Sequence, residues 1–304
     1  MSVTRRPLDA TGIAVMFVLC IVLGLHQVAL KGAAPFIPPM LQIALRSGIS
    51  ALLIALVIIR RREGFSLRDG TLGPGLILGV LFSLEFFFVA QGLRDTTAAH
   101  MSVFLYTAPL FTALALHRLL PAERLQRHQW IGILLAFSGI VTAFAGGFFS
   151  TDVNLRIVRG DLLGILAGAA WAATTVVVRC SKMAEAPATK TILYQLVMAF
   201  VLLLAVALFT GQARVIMVPL AWGSVLFQAV VITFASYLAW FSLLRRYNAS
   251  QLSAFMFLSP LFGVSFGVLL LHETIDYSFG LGTLLVLMGI TLVGRERPPL
   301  RHRG

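Results

Sequence analysis

The chain has 304 residues, of which 59% are hydrophobic and 12% charged, and its mean hydropathy is +0.92. Soluble domains carry about 25% charged residues. An ordinary soluble enzyme and a disordered chain are therefore both excluded, and a polytopic membrane protein remains. The formal net charge of +12 would point to nucleic acid in a soluble chain, but here it reads as the Lys and Arg of cytoplasmic loops.

Ten apolar runs follow one another, near residues 10–31, 36–59, 71–93, 96–117, 128–147, 159–179, 190–210, 219–244, 250–271 and 277–294. Each is close to the roughly 20 residues that a membrane helix needs. The first is too long for the core of a removable leader and is read as the first span. Pro35, Pro38, Pro39, Gly64, Gly70, Pro121, Gly146, Gly147, Pro187, Gly211 and Pro219 mark the breaks. Backbone in hydrocarbon must satisfy its own hydrogen bonds, as helices or as a closed barrel. Barrel strands alternate polar and apolar residues, whereas these runs are apolar throughout. The fold class expected is an all-α bundle of ten transmembrane helices. With the N-terminus placed in the cytoplasm, that side carries 18 Lys and Arg and the other side 5. Both termini are therefore expected to face the cytoplasm.

An internal repeat organises the ten runs. Leu93 to Phe111 aligns with Leu244 to Phe262, identical at 8 of 19 positions, including Arg94/Arg245, Ser102/Ser253, Phe104/Phe255 and Pro109/Pro260. With one residue removed, the match continues at Glu123/Glu273, Gly132/Gly282 and Gly139/Gly289. The domains expected are two five-helix halves, 1–152 and 153–304. Five is odd, so the second half enters the membrane inverted. Inverted repeats are a recurring plan of secondary transporters, with the substrate near the midplane.

The repeat, a Pro in the fourth helix of each half and a Glu opening each fifth helix resemble the drug/metabolite transporter superfamily. The ten-helix EamA-type branch is most similar, and within it the chain resembles bacterial YddG-type exporters of aromatic and other amino acids. The resemblance implies a basket in which helices one to four and six to nine surround a central cavity, with the fifth and tenth at the periphery. It also implies a multi-pass protein of the bacterial inner membrane that exports small metabolites by alternating access. Carried over by position, Pro109 and Pro260 would be hinges and Glu123 and Glu273 structural carboxylates near the loops.

The residues that could form the site are polar groups deep in the runs. Glu85 sits mid-span, where a carboxylate costs about 2.5–3.5 kcal/mol. It reads as a substrate-ammonium or proton site, or as a protonated or paired structural Glu. Its counterpart in the second half is Ser236, flanked by Tyr237 and Trp240. His26 and Gln27 lie deep in the first helix. Gln42 and Arg46 form a polar stripe at i, i+4 on the second. An ion pair of Arg46 with a buried group such as Glu85, or snorkelling, is preferred over a carboxylate clamp. Trp171 is a cavity-wall aromatic or a packing residue. Tyr106, Tyr194, Gln195, Gln228 and Tyr237 add polar groups that each need a partner. GLILG at 75–79, the glycines 160, 164 and 168, and GVSFG at 263–267 read as packing faces.

The function expected is a secondary exporter of amino acids or similar small metabolites, with membrane lipid and a small-molecule substrate as partners. Other metabolites or drugs are the alternative cargo. An enzyme is not expected: the six histidines are scattered, with no pair at i, i+4. No cofactor, metal or nucleic acid is expected, and no phosphate-binding G-x-x-x-x-G-K-[ST] loop occurs.

Overall fold

A computed structural model describes residues 9–64, 66–119, 125–149, 155–247, 252, 255–256 and 258–293. Pro121, Glu123 and Ser253, singled out in the sequence, lie outside the described residues. Each apolar run becomes a helical segment. They are α1 (Ala10–Ala33), α2 (Pro39–Arg60), α3 (Leu72–Gly92), the broken pair α4 (Ala98–Leu105) and α5 (Ala108–Leu119), and α6 (Arg127–Phe149). The second half has α7 (Leu155–Arg179), α8 (Ala188–Phe209), α9 (Pro219–Leu226) and α10 (Ser236–Arg246), then α11 (Leu258–Leu271) and α12 (Tyr277–Val293). Among the described residues, seven helices are long and apolar enough to cross a membrane by length and composition, and α11 and α12 are shorter apolar helices.

Local chemistry sets the ends. The Asp9 side chain accepts from the Gly12 amide at 2.7 Å and starts α1. The Thr97 hydroxyl accepts from His100 N at 3.0 Å and starts α4. Pro39 and Pro219 occupy first-turn positions, where a missing N–H costs nothing. Gly211, at φ +69°, ends α8 in the left-handed conformation that glycine adopts without strain.

Two departures from straight α-helix matter for the site. The fourth span breaks at Tyr106 and Thr107, between α4 and α5. Pro109 lacks the amide that would bond back to Leu105, and the Thr107 hydroxyl instead donates to Phe104 O at 2.6 Å. The eighth span winds as a π-helix over Phe227–Ala235, between α9 and α10. Ser50 of α2 donates to Ala229 O there, at 2.9 Å. Such wide turns concentrate at functional sites.

The packing carries the inverted symmetry. α6 packs on α12, the fifth span on the tenth, and the pair leans on α4 and α5, where His100 stacks on Phe279. α2 packs on α8, α1 on α11, and α7 on α4 and α5. Exchanging the two halves turns each of these contacts into another of the set. At the α6–α12 contact, Gly139 meets Gly282, and Gly132 meets Gly289. These are the repeat's own aligned glycines, crossed over, as a two-fold axis between the two helices requires.

The small-residue faces are packing surfaces. Gly75 lies under the Tyr194 ring and Gly79 under Met198 of α8, while Gly160, Gly164 and Gly168 receive Thr96, Phe104 and Thr107. Large apolar side chains such as Leu52, Ile59, Leu134, Val141, Leu208 and Leu269 are exposed around the bundle. No water-soluble chain leaves so much apolar surface uncovered.

Candidate functional site

A cavity of about 420 Å³ lies between the two halves, a volume suited to a small-molecule ligand. Its wall is built at helical spacing from both halves. His26 and Gln27 come from α1, Arg46 from α2, and Phe82, Glu85 and Phe86 from α3. Tyr106 stands at the break of the fourth span, with Ser102 one turn before it. Trp171 and Thr175 come from α7, Gln195 from α8, and Ser236, Tyr237 and Trp240 from α10.

Eight of the residues expected in the site therefore line one space: His26, Gln27, Arg46, Glu85, Tyr106, Trp171, Gln195 and Tyr237. Gln42 and Tyr194 do not line it. Gln42 lies one turn from Arg46 and is tied into a buried network. Its amide donates to Leu30 O at 3.0 Å and Ile37 O at 2.9 Å, and its carbonyl accepts from Gln228 at 2.7 Å. Tyr194 turns away because its neighbour Gln195 holds the cavity face, and its ring fills the space left by Gly75.

Sequence reasoning passed over Ser102, Phe86 and Thr175. Ser102 and Tyr106, Phe82 and Phe86, and Trp171 and Thr175 are each four apart, the spacing that puts two side chains on one helix face. For Ser102 and Thr175 that spacing from Tyr106 and Trp171 was the available signal, whereas Phe82 and Phe86 were not distinguished from the other apolar residues of the run.

The expected ion pair between Arg46 and Glu85 is corrected. Among the described residues neither of them takes part in an ion pair. Arg46 instead donates Nη1 to Nε2 of His26. His26 must then be an acceptor at Nε2, with any ring proton on Nδ1. The guanidinium carbon also stands 4.5 Å from the centroid of the Phe86 ring, a cation–π contact. Nε of Arg46, Oε2 of Glu85 and Oε1 of Gln27 are among the buried polar atoms of the lining residues that have no hydrogen-bond partner. The aromatic wall is ordered edge to face, with Tyr106 and Trp171 centroids 5.5 Å apart.

One end of the bundle is tied shut by polar contacts. Lys31, at the end of α1, donates to Leu93 O at 2.5 Å and Thr96 O at 2.7 Å. Glu273, just after α11, accepts from the Ala98 and Ala99 amides at 2.7 and 2.9 Å, neutralising the open N-terminus of α4. Arg159 Nε donates to Asp95 at 2.8 Å. Asp161 of α7 accepts from Thr96 and meets His100 Nδ1 at 2.9 Å. The cavity spans the middle of the bundle: His26, Arg46 and Glu85 sit toward the tied ends of α1, α2 and α3, whereas Trp171, Thr175, Gln195, Tyr237 and Trp240 sit toward the opposite ends of their helices. At that opposite end the loop after α2 is clamped differently. Lys190, in the first turn of α8, donates to Ser66 O at 2.6 Å and pairs with Asp69. That ammonium, helped by the Thr71 hydroxyl and amide, holds the Asp69 carboxyl well below the usual carboxylate range.

The EamA-like transporter family model matches this chain twice, over residues 10–145 and 158–295. The chain belongs to the EamA-like transporter family. The two matches fall on the two halves that the crossed glycines relate. "Uncharacterized transporter YoaV" of Bacillus subtilis is similar, 26% identical over 88% of this chain and 91% of that one. "Uncharacterized protein PA1977" of Pseudomonas aeruginosa is 30% identical, covering 82% of each. A crystal structure with a TM-score of 0.66 and 20% identity covers 92% of this chain and 96% of its own. That likeness is one of fold. As an EamA-like protein the chain is a multi-pass membrane transporter rather than an enzyme, built for a small-molecule substrate.

Proposed function

We propose that this transporter is a secondary exporter of amino acids or similar small amphipathic metabolites in the bacterial inner membrane. Substrate enters the cavity from the cytoplasm and leaves on the opposite side when the halves, 1–152 and 153–304, rock about the midplane. Pro109 and Pro260 are the bend points, because a helix that lacks one backbone bond bends there most easily.

The observation that carries the reading is the cavity itself. It combines buried polar groups with an aromatic wall, and the tied end is opposite the arginine-rich loops that mark the cytoplasmic side. The arrangement supports a carrier held closed by polar contacts on the side away from the cytoplasm. No step requires a nucleotide or a metal.

The test is counterflow in liposomes that hold the purified chain. Vesicles are preloaded with unlabelled phenylalanine, threonine or methionine, and trace label is added outside. Saturable, transient accumulation of label above empty vesicles is expected. Absence of uptake for every amino acid, with uptake of another metabolite or drug, would move the cargo to that class. Accumulation that does not saturate would indicate a channel.

A further inference from the structure

The cycle proposed above needs a second closed state, with the cytoplasmic end shut. The packing of the two halves points to the residue that shuts it. α1 lies on the ninth span in the same register in which α7 lies on the fourth. Cys20 Sγ donates to Phe255 O at 3.1 Å, and a Cβ built on Gly168 stands 3.1 Å from Phe104 O. Cys20 and Gly168 are 148 residues apart, and Phe104 and Phe255 are aligned in the repeat. At the same offset Leu23 corresponds to Trp171 and Gln27 to Thr175, and all four line the cavity. One helical turn further stand Lys31 in α1 and Arg179 in α7, each in the last turn of its helix.

Two packed bodies face each other across the cavity. In one, the end of α3 and all of α4 lie on α7, where Gly160 receives Thr96 and Gly164 receives Phe104. In the other, the end of α10 and the start of the ninth span lie on α1, where Met16, Leu19 and Cys20 cluster with Leu243, Tyr247 and Leu252. The Tyr247 hydroxyl also donates to Asp9 at 2.7 Å. Lys31 belongs to the α1 body and reaches across to the other. The carbonyls of Leu93 and Thr96 that it holds lie where the third span turns into the fourth. The aligned carbonyls are those of Leu244 and Tyr247, where the eighth span turns toward the ninth. Last-turn carbonyls have no partner within their own helix and carry the negative end of its dipole, so a cation is favoured there. With the outer end tied, Lys31 is half-buried and Arg179 is exposed.

We infer that Arg179 shuts the cytoplasmic end in the opposite state, its guanidinium donating to the carbonyls of Leu244 and Tyr247 as the Lys31 ammonium here donates to those of Leu93 and Thr96. This rests on the rocking of the halves proposed above. Lys31 and Arg179 are then positioning residues for the two half-cycles, and each holds the state that the other must release. The planar guanidinium suits the place, because its several donors serve two carbonyls at once.

The test is the access of a membrane-impermeant maleimide to the cavity from each face. The reporter is Leu23→Cys in a chain freed of Cys20 and Cys180, labelled in right-side-out and in inside-out membrane vesicles. Loss of two hydrogen bonds from a charged donor moves the balance of two states about tenfold or more. Arg179→Met is expected to slow labelling from the outer face about tenfold, and Lys31→Met to quicken it. Arg179→Lys, which keeps a charged donor, should label close to the parent. Combining Lys31→Met with Arg179→Met should bring the rate back toward the parent, which misfolding of either variant would not do. Outer-face labelling of Arg179→Met that is unchanged or quickened, while Lys31→Met still quickens it, overturns the latch and leaves alternating access standing. If neither substitution changes labelling on either face, the rocking of the halves falls and the latch falls with it.

Discussion

Replacing Gly139 by Ala tests whether α6 and α12 are joined backbone to backbone. A Cβ built on Gly139 lands 2.6 Å from both the Gly282 carbonyl oxygen and the Val286 amide nitrogen. Carbon and carbonyl oxygen ordinarily approach to about 3.3–3.6 Å. The helices must therefore part by about 0.7–1 Å, because the obstructing atoms are backbone and cannot swing aside. A gap of that size forfeits a quarter to a half of each dispersion contact along the seam. The cost of such overpacking is about 1–3 kcal/mol, and the upper end applies here. Gly223, in the middle of α9, has nothing within 4 Å of a built Cβ. There Ala removes the helix cost of glycine, a gain of about 0.5–1 kcal/mol. The two variants thus differ by about 3–4 kcal/mol, although the chemical change is the same methyl group. Thermal melting of the purified chain in detergent reads this directly. At about 2–4 °C per kcal/mol, Gly139→Ala should melt about 6–12 °C below wild type and Gly223→Ala at or slightly above it. Counterflow per folded molecule should be close to normal in both, because α6 and α12 stand outside the cavity. A Gly139→Ala protein that melts with wild type would refute the close backbone contact and with it the two-fold axis at this seam.

Lys31→Met removes two charged hydrogen bonds at the tied end, for a net loss of about 2 kcal/mol after partial rehydration. That shifts the population away from this state by about 30-fold. Leu23 lines the cavity, so in a chain freed of Cys20 and Cys180 labelling of Leu23→Cys by an external, membrane-impermeant maleimide should quicken accordingly, and an unchanged rate would mean that Lys31 does not hold the seal. Pro109→Ala restores a backbone donor at the break of the fourth span and should lower transport per folded molecule while sparing melting temperature. Equal loss of both would exclude a hinge. Asp69 is held below its ordinary pKa by Lys190 and Thr71, so its contribution is present above the unfolded value of about 3.9 and fades as pH falls through that region. Melting of wild type should exceed that of Asp69→Asn at pH 7, and the difference should begin to shrink below about pH 4 and keep shrinking as pH falls toward the lowered native pKa. A difference that persists in acid would assign the clamp to something other than the carboxylate.

What the sequence settled by itself was the architecture. Long apolar runs in hydrocarbon have one backbone solution, so the number and order of helices followed from composition and spacing. The repeat then paired the halves, and Gly132, Gly139, Gly282 and Gly289 were already visible as aligned positions. The same period located Glu85, Arg46, His26, Gln27 and Trp171 as polar or aromatic groups too deep to be incidental. Tertiary structure decided which of them share one space and whom each one touches. Rotation about a helix axis is set by neighbours, and an apolar helix in lipid has little amphipathic stripe to reveal it. That is why Gln42 turned to Gln228 and Tyr194 to Gly75, and why Ser102 and Thr175 joined the wall unannounced. The choice of His26 over Glu85 as the partner of Arg46 belongs to the same class. It depends on distances between three helices far apart in sequence, and no spacing along the chain encodes it. The π-helix at Phe227–Ala235 is also a tertiary outcome: the first half's equivalent, α3, stays regular although the repeat aligns the two. The two halves thus share their helix order through sequence and acquire different cavity walls through packing.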